Sequence, residues 1–201
     1  MNKSKAVFLD RDGVINPLVY NPATQAYESP HDPGDFAVFP HVKESLELLK
    51  LSGYIIIVVS NQPSFAKGKT TLENIKEIGR LLNEFSNENG GLIDDFYYCY
   101  HHPQGIVPEY TTVCRCRKPG TLFLEQAVSK YDLDKGMCWF VGDSDTDIIC
   151  GKAMGFRTVK ISNEQTQESQ SKNGAVAPDL PDVFAPDLLK AAKEIINREN
   201  E

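Results

Sequence analysis

What this chain lacks narrows its role before any motif is read. No apolar run approaches the roughly 18 residues needed to cross a bilayer; the longest, around 54–59, has the length of a strand. An excess of cations is missing too. With 21 Lys and Arg against 28 Asp and Glu the formal charge is −7, which argues against nucleic acid or an anionic membrane surface as a partner. The first five residues lead straight into the strand-like Ala6-Val7-Phe8-Leu9, without the apolar core and cleavage site of a secretory leader. A cytoplasmic location is therefore expected, and with it no disulfide framework from the five cysteines. No internal repeat is visible. A composition of 41% hydrophobic and 24% charged residues is ordinary for a globular chain. The length of 201 residues suits one domain, expected over 1–201 and to be monomeric.

What is present alternates. Short β-branched runs at 6–9, 54–59, 96–99, 137–141 and 158–161 read as strands. Helical patterns fall at 42–52, 71–88, 121–131 and 146–154, with a last one at 187–197. Thr70 or Thr71 stands where it can cap the second. Strands separated by helices imply right-handed crossovers, so the expected fold class is α/β, a parallel sheet with helices on both faces. Two long stretches, 16–40 and 101–119, show no clear periodicity. Both leave near the carboxyl ends of strands, where open α/β sheets bind ligands. Residues 163–182 are polar and read as a mobile surface connection. Cys138 and Cys150 sit in apolar segments and read as small buried hydrophobes.

Four features at strand ends carry chemistry. In Phe8-Leu9-Asp10-Arg11-Asp12-Gly13 a strand ends on an aspartate and a second follows two residues on. Side chains at i and i+2 of an extended chain point the same way, so Asp10 and Asp12 can converge on one ligand. An Asp-Gly pair is otherwise a common turn. In Val141-Gly142-Asp143-Ser144-Asp145-Thr146-Asp147 another strand gives way to a helix, for which Ser144, Asp145 or Thr146 is a natural cap. Asp143 beside Asp10 and Asp12 would make a carboxylate cluster that requires a cation; oxygen donors and a phosphate substrate favour magnesium. Ser60 ends an apolar strand and can donate to a phosphate oxygen, and Arg117-Lys118 supplies the positive charge that the composition does not.

The five cysteines are not evenly spread. Cys99-Tyr100-His101-His102 is followed by Cys114-Arg115-Cys116-Arg117-Lys118. Three thiols and one histidine are a usual set for a closed tetrahedral zinc site, structural because it leaves no open position. Its expected work is to fasten the loop at 99–119 and to aim Arg117 and Lys118.

Taken in order, these features resemble the haloacid dehalogenase (HAD) superfamily, with its Asp-x-Asp, Ser/Thr, Lys and Gly-Asp-x-x-x-Asp motifs. The resemblance runs from about residue 6 to 161. It implies a Rossmann-like HAD fold and a phosphoaspartate mechanism. Asp10 would attack phosphorus, and Asp12 would act as acid and then base. Asp10, the main-chain carbonyl of Asp12, and Asp143 would hold magnesium. Ser60 and Lys118 would bind the phosphoryl oxygens, with Asp147 orienting Lys118 or a metal-bound water. Within the superfamily, Cys99-Tyr100-His101-His102-Pro103 and Cys114-Arg115-Cys116-Arg117-Lys118-Pro119 resemble the heptose bisphosphate phosphatases, which have no large cap domain. Position by position, that resemblance implies Cys99, His101, Cys114 and Cys116 as zinc ligands. It implies Arg11, Asn61, Gln62, Arg117 and Lys118 as substrate contacts, and leaves His102 open. Ser144 stands where those enzymes commonly have lysine, and 16–40 matches them poorly. The expected reaction is hydrolysis of the 7-phosphate of D-glycero-D-manno-heptose 1,7-bisphosphate. The alternatives are a histidinol-phosphate or other sugar-phosphate phosphatase, or a phosphosugar-binding protein without catalysis.

Overall fold

A computed structural model describes residues 3–162 and 180–199. Six parallel strands form its main sheet: β1 (Ala6–Leu9), β4 (Ile55–Asn61), β5 (Asp95–Cys99), β6 (Trp139–Gly142), β7 (Arg157–Ile161) and β8 (Val183–Ala185). Their order is β5-β4-β1-β6-β7-β8. The chain thus starts at the centre, builds outward through β4 and β5, and returns to the other side of β1 with β6. Such a reversal of winding opens a crevice at the carboxyl ends of the central strands. Asp10, Ser60 and Asp143 all lie at that end.

Helices α1 (Val42–Leu51), α2 (Leu72–Glu88), α3 (Leu122–Tyr131), α4 (Asp145–Ala153) and α5 (Leu188–Asn197) cover both faces. Alternation along β1 assigns the faces. Val7 and Leu9 pack with Leu46, Leu49, Leu82, Ala191 and Ile195 from α1, α2 and α5. Ala6 and Phe8 pack with Leu124, Ala127 and Met154 on the side of α3 and α4. All four β1 residues are fully buried, which is why this strand reads as a continuous apolar run. Cys138 and Cys150 are buried in the second cluster as small apolar groups. Among the described residues no helix is long and apolar enough to cross a membrane.

Helix starts follow local chemistry. The Thr71 hydroxyl accepts from the Asn74 N–H at 3.1 Å and caps α2. At α4, Asp147 Oδ2 accepts from both the backbone N–H and the hydroxyl of Ser144, at 3.0 and 2.7 Å. The bond to the Ser144 N–H is the reach of an N3 side chain back to the N-cap that defines a capping box.

Three elements depart from expectation. Residues 16–40 are not a featureless loop: β2 (Val19–Asn21) and β3 (Ala26–Glu28) form an antiparallel hairpin with Tyr20 opposite Tyr27. Short β8 escaped detection because only Val183 and Ala185 of its three residues are buried. The strand expected from residue 137 starts at Trp139, since Lys135–Met137 forms a 3₁₀ turn capped by the Asp134 side chain. Most of 163–182, expected as a mobile connection, lies outside the described residues.

Candidate active site

The turn after β1 is built for carboxylates. The N–H groups of Val14, Ile15 and Asn16 all bond the Arg11 carbonyl, and Gly13 takes a φ of +81°, which L side chains resist. A Cβ at Gly13 would stand 2.5 Å from Asp143 Oδ2, and one at Gly142 would stand 2.3 Å from the Asp147 Cβ. Both glycines are therefore required by how closely the acids of β6–α4 approach the backbone.

Lys118 is the electrostatic centre. Its side chain is 2% exposed, and its Nζ lies 2.9 Å from Asp10 Oδ1, 2.6 Å from Asp147 Oδ1 and 2.9 Å from the Val59 carbonyl. Two carboxylates and a carbonyl thus surround the ammonium. Burial works against its charge, but Asp10 and Asp147 outweigh it and hold the ammonium above the ordinary lysine value. Burial is also the largest influence on Asp10; with Asp147 and Asp12 it outweighs Lys118 and lifts Asp10 to about 6. Burial and then repulsion from Asp10 and Asp147 raise Asp143 well above the usual carboxylate range.

Ligand atoms of Asp10, Asp143 and Asp147 lie within 4.8 Å of one another. Acids that raise one another by crowding fit a hard divalent cation, whose charge would reverse the effect. Asp147 already has both oxygens engaged, one by Lys118 and one by Ser144, so Asp10 and Asp143 are the better donors.

Asp12 faces other partners. Its Oδ1 accepts from Arg11 Nε at 3.0 Å, Arg11 Nη2 at 2.9 Å and Asn16 Nδ2 at 2.9 Å; its Oδ2 accepts from Gln62 Nε2 at 2.7 Å. Burial pushes Asp12 up, but Arg11 and the Asn16 and Gln62 amides outweigh it and leave the acid below its ordinary value. Asp12 and Asp10, neighbours on one strand end, are thus driven apart in acidity.

A pocket of about 300 Å³ opens over these groups. Its floor is Asp10, Asp12 and Asp143; Asn61, Arg117 and Lys118 form one wall, and Ser144 and Thr146 another. Leu18, Tyr27, Glu28 and Ser29 close it from the hairpin side. Sequence reasoning missed these four. The signal available was Asn21-Pro22, a turn dipeptide between two tyrosine-bearing segments. Glu28 fastens the hairpin to the segment just before α2 through Lys69 at 2.7 Å.

Two expected substrate contacts are not among the residues that line the pocket. Arg11 is 0% exposed and Gln62 1% exposed, and both lie behind Asp12, outside the pocket lining; Arg11 Nε and Nη2 and the Gln62 amide bond Asp12, Ser60 and each other, while Arg11 Nη1 is buried without a partner. Asn61 reaches the pocket but also clamps the Lys118 peptide. His102 has its Nδ1 engaged by the Gln104 N–H at 3.1 Å.

The cysteine loop closes as expected. Cys99, His101, Cys114 and Cys116 converge, with Sγ···Sγ separations of 3.6, 3.3 and 3.1 Å and Sγ···Nδ1 separations of 3.8 and 3.4 Å. A disulfide needs about 2.05 Å. Ligands about 2.3 Å from one tetrahedral ion stand about 3.8 Å apart, so the cluster is compatible with zinc. Arg117, adjacent to Cys116, turns its Nη1 back to the His101 carbonyl at 3.4 Å.

A family model described as HAD-hydrolase-like matches residues 115–191. A D-glycero-alpha-D-manno-heptose-1,7-bisphosphate 7-phosphatase from Photorhabdus laumondii is 36% identical over 154 residues, covering 77% of this chain and 80% of that protein. A D-glycero-beta-D-manno-heptose-1,7-bisphosphate 7-phosphatase from Escherichia coli K12 is 31% identical, covering 89% and 91%. In three dimensions the chain is similar to a D,D-heptose 1,7-bisphosphate phosphatase from B. bronchiseptica, solved with magnesium and phosphate, at a TM-score of 0.75 and 21% identity over 97% of this chain and 99% of that one. With its carboxylate-and-lysine centre and this extent of identity, the chain belongs to the heptose 1,7-bisphosphate 7-phosphatase family of HAD-like hydrolases.

Proposed function

We propose that this protein removes the 7-phosphate of D-glycero-D-manno-heptose 1,7-bisphosphate through an aspartyl-phosphate on Asp10. The observation that carries the reading is Lys118, buried and ion-paired to both Asp10 and Asp147 in the wall of an open pocket. It places a fixed positive charge beside a nucleophilic carboxylate, where a phosphoryl group must arrive.

Asp10, ionised above a pKa of about 6, attacks phosphorus in line. A P–O bond forms to its carboxylate as the bond to the sugar oxygen breaks. Asp12 gives the departing oxygen a proton, then takes one from the water that hydrolyses the aspartyl-phosphate. The clamp of Arg11, Asn16 and Gln62 favours the carboxylate form of Asp12 in the resting site. An entering phosphate opposes it, because a nearby like charge favours the protonated acid. The Ser60 hydroxyl and Lys118 hold the transferring oxygens. Asp10, the Asp12 main-chain carbonyl and Asp143 would hold magnesium, which supplies charge that offsets the repulsion between carboxylate and phosphate. Cys99, His101, Cys114 and Cys116 would hold a structural zinc.

A bisphosphate suits the positive charge gathered near Arg117, which lines the pocket. Burial, Arg117 and Lys69 together hold Lys67 below its usual value, and burial, Lys67 and Arg117 do the same to His102. Crowding of like charge of this kind is relieved by a second anion.

Phosphate release from a panel tests the reading. Heptose 1,7-bisphosphate should turn over far faster than histidinol phosphate, and Asp10→Asn should abolish it while the fold persists. Preference for histidinol phosphate would replace the substrate, and activity retained by Asp10→Asn would remove the nucleophile.

A further inference from the structure

Gln62 is the side chain that touches both the acid and the phosphoryl-binding hydroxyl. Its Nε2 donates to Asp12 Oδ2 at 2.7 Å and to Ser60 Oγ at 3.1 Å. Its Oε1 accepts from Arg11 Nη2 at 2.8 Å. The third bond fixes which way the amide faces. Arg11 has donors only, so the oxygen must point to it and the two N–H groups must point away. Arg11 in turn has no freedom to turn, because it is fully buried with Nε and Nη2 held on Asp12.

The consequence for Ser60 is directional. A hydroxyl has one proton, and an oxygen already receiving an N–H uses that proton elsewhere. With Gln62 donating to it, and Ser60 itself 2% exposed, the hydroxyl is biased to act as a donor. The consequence for Asp12 is positional. Oδ2 is held by Gln62 and Oδ1 by Arg11 and Asn16, so the carboxylate plane is defined at both ends.

We infer that Gln62 is a positioning residue, oriented by Arg11, that aligns the Asp12 carboxyl with the leaving oxygen and directs the Ser60 proton to the phosphoryl group. The inference rests on the phosphatase reading, since it assigns both groups their targets, but it adds a role the pocket lining does not reveal. Gln62 touches no substrate. It acts through Asp12, which lines the pocket, and Ser60, which is buried just behind that lining.

Leaving-group dependence separates alignment from mere packing. A well-placed acid matters most when the departing oxygen is strongly basic, and general acid catalysis is worth about 10²–10⁴-fold. Gln62→Met keeps the length of the side chain and removes its amide. The rates to compare are kcat/KM for a sugar phosphate, with a poor alcohol leaving group, and for p-nitrophenyl phosphate, with a good one. A loss of about a hundredfold on the sugar phosphate, with the nitrophenyl ester clearly less affected, is the expected result. Equal losses on both, or no loss, would overturn the inference. If Gln62→Met fails to fold by circular dichroism, Gln62→Asn decides by the same comparison, because its amide is one methylene too short to span Asp12 and Ser60. Failure of the wild-type protein to release phosphate from either ester would sink the phosphatase reading together with this one. A uniform loss in an active enzyme would sink this one alone.

Discussion

Asn61 grips Lys118 by its backbone on both sides. The Asn61 Oδ1 accepts from the Lys118 N–H at 3.0 Å, and the Nδ2 donates to the Lys118 carbonyl at 3.1 Å. Lys118 is thus positioned by a residue at the end of β4, not by its own loop alone. Asn61→Ala leaves two partly buried backbone groups without partners, at a cost of about 1–3 kcal/mol. It should also lower kcat about a hundredfold through misplacement of Nζ. Chemical denaturation and steady-state kinetics check the two effects. Full activity would show that the loop holds Lys118 unaided.

Loss of one thiol tests the metal loop. Cys114→Ala should bind no zinc by plasma emission analysis. It should lose on the order of 10 °C in Tm, taking a few kcal/mol of metal-linked folding energy at about 2–4 °C each. Activity should fall in parallel, since Arg117 and Lys118 directly follow Cys116. Unchanged zinc content would refute the ligand set.

Magnesium uptake should release protons, more at low pH than at high. Asp10 is raised to about 6 and Asp143 well above its ordinary value, so near pH 6 these acids carry protons that a cation must displace. As pH rises the carboxylates are already ionised; the release shrinks and affinity strengthens. Isothermal titration in buffers of different ionisation enthalpy measures the proton count. A release that grows with pH would contradict the assignment.

Gly142→Ala should be damaging although alanine is small. Its Cβ would stand 2.3 Å from the Asp147 Cβ, forcing Asp147 away from Lys118. Overpacking of this kind costs about 1–3 kcal/mol, and kcat should fall with little change in KM. A wild-type kcat in this variant would show that the Asp147–Lys118 pair is dispensable.

Much of this was legible in the residues because strand ends and chemistry coincide. Asp10, Ser60 and Asp143 each close an apolar run, and the run is what a buried parallel strand requires. The cysteine spacing likewise announced its cluster. Gln62 and Arg11 were expected at the substrate and stand behind Asp12 instead of in the pocket lining, since a polar residue beside a motif looks the same whether it faces ligand or stands behind the acid; only burial distinguishes the two. The hairpin was invisible for a different reason. Its strands are three residues each and none of their positions is buried, so no alternation between core and solvent is written into them.

That hairpin forms a sheet of its own, separate from the six strands that carry the acids. Its moorings are side-chain contacts, Glu28 to Lys69 and the His31 carbonyl to Thr70 and Asn74. One side of the pocket is therefore carried by a segment separate from the strands that bear the acids. Replacing the segment would reshape that side of the pocket and leave in place the backbone that holds Asp10, Asp12 and Asp143.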